Sequence, residues 1–128
     1  MVFIGLTVNL HLYAFNVSTA GMPPTREVAP GKHVWERHSC IKCHTLRGEG
    51  ACFAPELGNV MTRWGVLDDP QTACEVLDGW MAAQPSGTPG RRQMPHFAIT
   101  GEEMRGLAEF LRRADQTDTQ GWLPTDAG

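Results

Sequence analysis

Three observations predict an all-α fold for this chain. Apolar residues recur at helical spacing around Trp35, around Leu77 and around Leu107. No stretch alternates apolar and polar residues as a half-buried strand does. The run Cys40-Ile41-Lys42-Cys43-His44 directly follows the first helical stretch, and it is the most informative of the three. Each thiol of a C-x-x-C-H run can add to one vinyl group of a porphyrin, while the two-residue gap lets one turn bring the adjacent imidazole under the iron. One covalent haem c is therefore expected, attached through Cys40 and Cys43, with His44 as the proximal ligand.

Other uses of such a pair fit less well. A thiol–disulfide exchange pair belongs to a strand-to-helix setting, and no β-rich run precedes Cys40. A structural zinc site takes four ligands, usually from two closely spaced pairs, whereas Cys52 and Cys74 stand alone. These two are expected to be small buried hydrophobes, with a disulfide between them as the alternative in an oxidising compartment. At 128 residues the chain has room for one ordinary domain. Its net charge of −3 provides no basic stripe, which excludes nucleic acid as a partner.

The elements follow in order. Residues 1–15 are mainly apolar and carry no charge. A spanning helix needs about 20 such residues, so the run reads as a partial, truncated membrane anchor helix with Tyr13 and Phe15 near the outer interface. No basic residue precedes it and no cleavage site follows, so a signal peptide fits poorly. Residues 16–30, with Gly21, Pro23, Pro24 and Pro30, read as a linker. The domain is expected over 31–114. Its first helix starts at Gly31, with Val34, Trp35, His38 and Ile41 on one face, and delivers the haem motif. The glycine-rich stretch 45–69 is expected to be loop around the haem edge.

Asp68-Asp69-Pro70 marks the start of a second helix. Its stripe is Ala73, Val76, Leu77, Trp80 and Met81, and it should end near Gln84-Pro85. Residues 85–95 are too rich in proline and glycine for regular structure and form a loop carrying Met94. Thr100 and Glu103 have the spacing of a capping box that opens a third helix, with Met104, Leu107, Ala108 and Leu111 on its inner face. Arg112 and Arg113 suit its negative end. The tail 115–128 is polar apart from Trp122 and Leu123 and is expected to pack on a partner.

The iron needs a sixth ligand. Met1 and Met22 precede the domain, and Met81 and Met104 lie on helical stripes, which leaves Met61 and Met94. Met94 is preferred because Pro95 stiffens its loop; His96 is the rival. A His/Met iron passes electrons and binds no substrate, so the chain alone would carry no catalytic site. Arg63, Arg91 and Arg92 are candidate donors to the haem propionates, since guanidinium grips carboxylate through paired hydrogen bonds.

Helix, haem loop, helix, methionine loop and helix is an order that resembles a class I monohaem cytochrome c. In that class the first and last helices cross closely, which Gly31, Trp35, Phe110 and Leu111 would allow. Ala54-Pro55-Glu56-Leu57 resembles the loop whose proline carbonyl accepts the ring N–H of the proximal histidine, making Pro55 the candidate here. More specifically, four segments resemble the cytochrome c subunit of the cytochrome c-dependent nitric oxide reductase: Gly31 to Glu36, Cys40 to Leu46, Gly48 to Asn59, and Gly90-Arg91-Arg92-Gln93-Met94-Pro95.

That resemblance implies a membrane-anchored cytochrome whose haem domain faces the periplasm from the cytoplasmic (inner) membrane. It would be bound to a catalytic haem b subunit that reduces NO to N2O in denitrification. Small periplasmic cytochromes c or cupredoxins would supply the electrons. His44 and Met94 match the family's axial ligands. Gly50 and Cys52 match positions whose backbone carbonyls hold calcium at the subunit boundary, although the family usually has tyrosine where Cys52 stands. Two other readings are a free-standing, membrane-tethered electron shuttle and a haem sensor with an open iron position.

Overall fold

The computed structural model describes residues 26–117. Helix α1 (Val28–Arg37) leads into a 3-10 turn (Cys40–Lys42) and a two-stranded antiparallel hairpin, β1 (Thr45–Leu46) with β2 (Glu49–Gly50). The short helix α2 (Val60–Arg63) is followed by α3 (Pro70–Ala82) and α4 (Gly101–Gln116). The anchor expected over 1–15 and the tail with Trp122 lie outside the described residues. Among the described residues, no helix is long and apolar enough to cross a membrane.

The first helix begins at Val28, inside what the sequence marks as linker. Pro30 lies in its first turn, where a backbone N–H has no intrahelical acceptor, so the missing donor costs nothing. Gly31 N–H donates to the Glu27 carbonyl at 3.0 Å. Where α1 meets α4, a Cβ added at Gly31 would lie 1.8 Å from the Gly106 carbonyl oxygen. The backbones can approach this closely only because neither position carries a side chain. Trp35 and Phe110 flank the contact with ring centroids 6.0 Å apart. Gly31, Trp35, Phe110 and Leu111 thus lie where the sequence places them. Gly106 is the addition, since a glycine within a helix reads only as a weak helix former until its partner is known.

Asp69 caps α3, its carboxylate accepting from the amides of Gln71 at 3.0 Å and Thr72 at 3.3 Å. Ala73, Leu77 and Met81 are buried, but Val76 and Trp80 are 37 % and 41 % exposed, so the expected stripe is inward only in part. The capping box of α4 is complete: Glu103 N–H donates to Thr100 Oγ1, and Thr100 N–H donates to the Glu103 carboxylate at 2.9 Å. Its expected inner face is buried, and the helix runs two residues beyond 114. Arg112 does more than complement the helix end. Its side chain is buried, donating to the Leu67 carbonyl at 2.8 Å and pairing with Glu109 at 2.5 Å.

The stretch 45–69 is more ordered than a loop. Two-residue strands are too short to register as alternation, which is why the hairpin does not stand out in the sequence. Arg47 and Gly48 turn it at φ 54° and 82°. The Arg47 guanidinium then donates to the carbonyls of Ala114 and Asp115 at the end of α4. The Asp115 carboxylate in turn accepts from the amide and hydroxyl of Thr62 at 2.8 and 2.7 Å.

Candidate haem site

The cysteine pair lies on a tight turn. Cys43 and His44 N–H both donate to the Cys40 carbonyl, at 3.1 and 2.9 Å, and Ser39 enters the turn at φ 54°. The returning hairpin packs against it: Ala51 N–H reaches the Ile41 carbonyl, and the amides of Phe53 and Ala54 both reach the Cys43 carbonyl. Gly50 is required there, because its φ is +121° and an added Cβ would lie 2.4 Å from the His44 carbonyl oxygen. The chain then brings Pro55 over the imidazole. His44 is buried, and its Nδ1 donates to the Pro55 carbonyl at 2.7 Å. That bond fixes the tautomer and leaves Nε2 as the nitrogen able to ligate a metal.

Cys40, His44, Pro55, Arg63 and Met94 line one cavity, walled by apolar side chains that include Trp35, Leu57, Trp64, Leu77, Leu107 and Leu111. The space between these walls is about 800 Å³, including the part that opens to solvent. A porphyrin fits this donor set: a thiol, an imidazole with one nitrogen committed elsewhere, a thioether and a guanidinium, all around an apolar slot. Trp80 also lines the slot, with its ring centroid 6.2 Å from that of Trp64. Its failure to join the core stripe follows from facing the cofactor space.

The competing ligands are placed elsewhere. Met61 is fully buried in the core and is not among the lining residues. His96 lines a different, smaller cleft with Asp78 and Phe97. Of the three arginines singled out, only Arg63 reaches the cavity, where it donates to the Glu56 carbonyl at 2.6 Å. Arg91 and Arg92 are exposed on the methionine loop, and the Arg92 guanidinium lies 4.5 Å from the centre of the Phe53 ring.

All four cysteines are unpaired. Cys52 is exposed rather than buried. Cys74 is half-buried, and burial pushes its thiol pKa up, as burial pushes that of Cys40 up to about 11. Among the described residues, no group of three or more His, Cys, Asp or Glu side chains is placed to hold a metal ion. Calcium at Gly50 and Cys52 therefore gains no side-chain support.

Sequence reasoning missed Glu56. Its carboxylate is 2 % exposed and accepts from the amides of Arg47 at 2.7 Å, Gly58 at 2.6 Å and Gly48 at 3.1 Å. Burial alone would raise its pKa. Hydrogen bonds from the Thr45 side chain and from the amides of Gly48, Gly58 and Arg47 outweigh that and hold it below 4.5. The one available signal is an acid lying between the apolar Pro55 and Leu57 and next to turn glycines, whose amides need an acceptor.

Residues 28–115 match the model of the cytochrome c family. The chain is thus a member of the cytochromes c, and with Cys40 to His44 inside the matched span a covalent haem c follows. More specific relatives share nearly its whole length. The nitric oxide reductase C subunit of Cereibacter sphaeroides is 68 % identical over 99 % of this chain and 84 % of its own. The corresponding proteins of Paracoccus denitrificans and Halomonas halodenitrificans are 55 % and 48 % identical, each over 100 % of this chain and 85 % of their own. The chain belongs to the family of nitric oxide reductase C subunits.

Proposed function

We propose that this chain is the electron-transfer subunit of a nitric oxide reductase complex. It takes single electrons from small periplasmic cytochromes c or cupredoxins and delivers them to a catalytic haem b subunit that reduces NO to N2O. The observation that carries this reading is the meeting of His44 and Met94 at one apolar cavity, with His44 Nδ1 already committed to Pro55. An imidazole and a thioether facing one apolar slot would suit a His/Met electron relay, and the relatives named above are nitric oxide reductase C subunits.

When bound, the haem supplies a one-electron Fe(III)/Fe(II) couple. The chain's own residues do the rest. Cys40 and Cys43 hold the group through thioethers, and Pro55 holds the imidazole of His44 in one orientation. The Met94 thioether would be the second side chain to hold its iron, and Arg63 would offer N–H donors to a propionate. The haem domain, from α1 to α4, stands in the periplasm on an anchor within residues 1–15 in the cytoplasmic membrane. The tail beyond α4 packs on the catalytic subunit. The carbonyls of Gly50 and Cys52 are assigned to calcium at that boundary on the family resemblance alone.

Three measurements test this. A pyridine haemochrome spectrum, with the mass of the denatured chain, should report one covalent haem. The oxidised protein should display the methionine-to-ferric-iron charge-transfer band, which Met94→Ala abolishes; a band that survives the substitution removes Met94 from the iron. Tagged chain extracted from membranes should bring down a large haem b protein. Its absence, with the haem spectrum intact, would leave the free-standing shuttle.

A further inference from the structure

Met94 sits at the end of a loop whose residues 86 to 93 are all exposed. A segment so open to water has no core to shape it, yet it must hold a thioether in place. One side chain shapes it instead. Gln93 is the immediate neighbour of Met94, and its amide makes four hydrogen bonds. Its Oε1 accepts from the Ser86 hydroxyl at 3.0 Å and the Gly87 amide at 3.1 Å, while its Nε2 donates to the carbonyls of Thr88 at 2.9 Å and Arg91 at 3.0 Å. Both lone pairs of the carboxamide oxygen and both protons of its nitrogen are thereby directed into the loop. Gly87 and Gly90 supply the positive φ values of 69° and 76° that let the backbone curl around it. On the other side of Gln93 from Met94, Arg92 lies over the ring of Phe53, the residue whose amide is bonded to the Cys43 carbonyl. The loop is therefore closed on itself through Gln93 and tied to the haem-attachment turn through Arg92.

We infer that Gln93 is a positioning residue for the Met94–iron bond, holding the loop in its ligating shape so that the thioether resists displacement. This rests on Met94 being the axial ligand, as proposed above. Ordering a flexible loop costs entropy that would otherwise be drawn from the ligation itself. A loop already folded around Gln93 avoids that loss, and the apparent affinity of an exogenous ligand competing with Met94 reports it.

The experiment is a titration of the oxidised, haem-loaded chain with imidazole, followed by loss of the methionine charge-transfer band, in the wild type, Gln93→Ala and Gln93→Glu. Both variants should show the band without imidazole and lose it at about tenfold lower imidazole, the effect of about one net hydrogen bond. Gln93→Glu keeps the acceptor but turns both donations into repulsions, so it should not rescue. The Tm of each variant should lie closer to that of the wild type when both are saturated with imidazole than when neither is, because the share owed to ligation is then gone. Wild-type affinity in Gln93→Ala overturns the inference while leaving Met94 as ligand. So does a Tm deficit as large with imidazole as without it, which would make Gln93 a general stabiliser. A wild type with no band removes the Met94 ligation itself.

Discussion

Three backbone amides converge on the buried carboxylate of Glu56, those of Arg47 and Gly48 from the hairpin turn and that of Gly58 from the chain after it. Glu56→Gln swaps an ionic acceptor for a neutral one and turns one acceptor atom into a donor facing an amide. We expect a loss of about 2–3 kcal/mol at pH 7 in urea unfolding. Because the folded carboxyl titrates below 4.5, its ionic contribution is full above the unfolded value near 4.5. It is lost as pH falls through the folded one. The gap between wild type and variant should accordingly close in acid. His44, Cys40 and Cys43 are legible in the sequence because thioether attachment is a matter of spacing within five residues. Glu56 and Gln93 are not, because their partners are amides and carbonyls that only the folded backbone brings within reach.

Among the elements, the crossing of α1 on α4 is the least tolerant. In Gly31→Ala the new methyl would face the Gly106 carbonyl oxygen at 1.8 Å and its carbon at 2.4 Å. Backbone atoms cannot rotate aside, so the helices must part, at a cost of about 3 kcal/mol or more, read as a lowered Tm. Gly106→Ala should be milder, since its nearest atom is 3.1 Å away. The starts of α3 and α4 are written in the chain as Asp69-Pro70 and as Thr100 with Glu103, since caps are local chemistry. The start of α1 is obscured by Pro30, which breaks a helix interior but suits a first turn. The hairpin and α2 are hidden because elements of two and four residues owe their existence to tertiary contacts, here Arg47 of the hairpin reaching the end of α4 and Asp115 of α4 reaching Thr62 in α2.

For the whole molecule, the haem would complete the core, since Leu57, Trp64 and Trp80 line the cavity that it would fill. A chain carrying Cys40→Ser and Cys43→Ser cannot form the thioethers, and it should melt lower and more broadly than the loaded protein by circular dichroism. The overall class is legible because the haem motif and the helical stripes agree. The Gly31 to Gly106 contact also imposes a sequence of events. Its two halves belong to opposite ends of the described stretch, so a chain delivered amino end first presents the cysteine pair before its carboxyl-terminal helix exists. The wall supplied by Leu107 and Leu111 is then still missing, so the slot is complete only once α4 has docked.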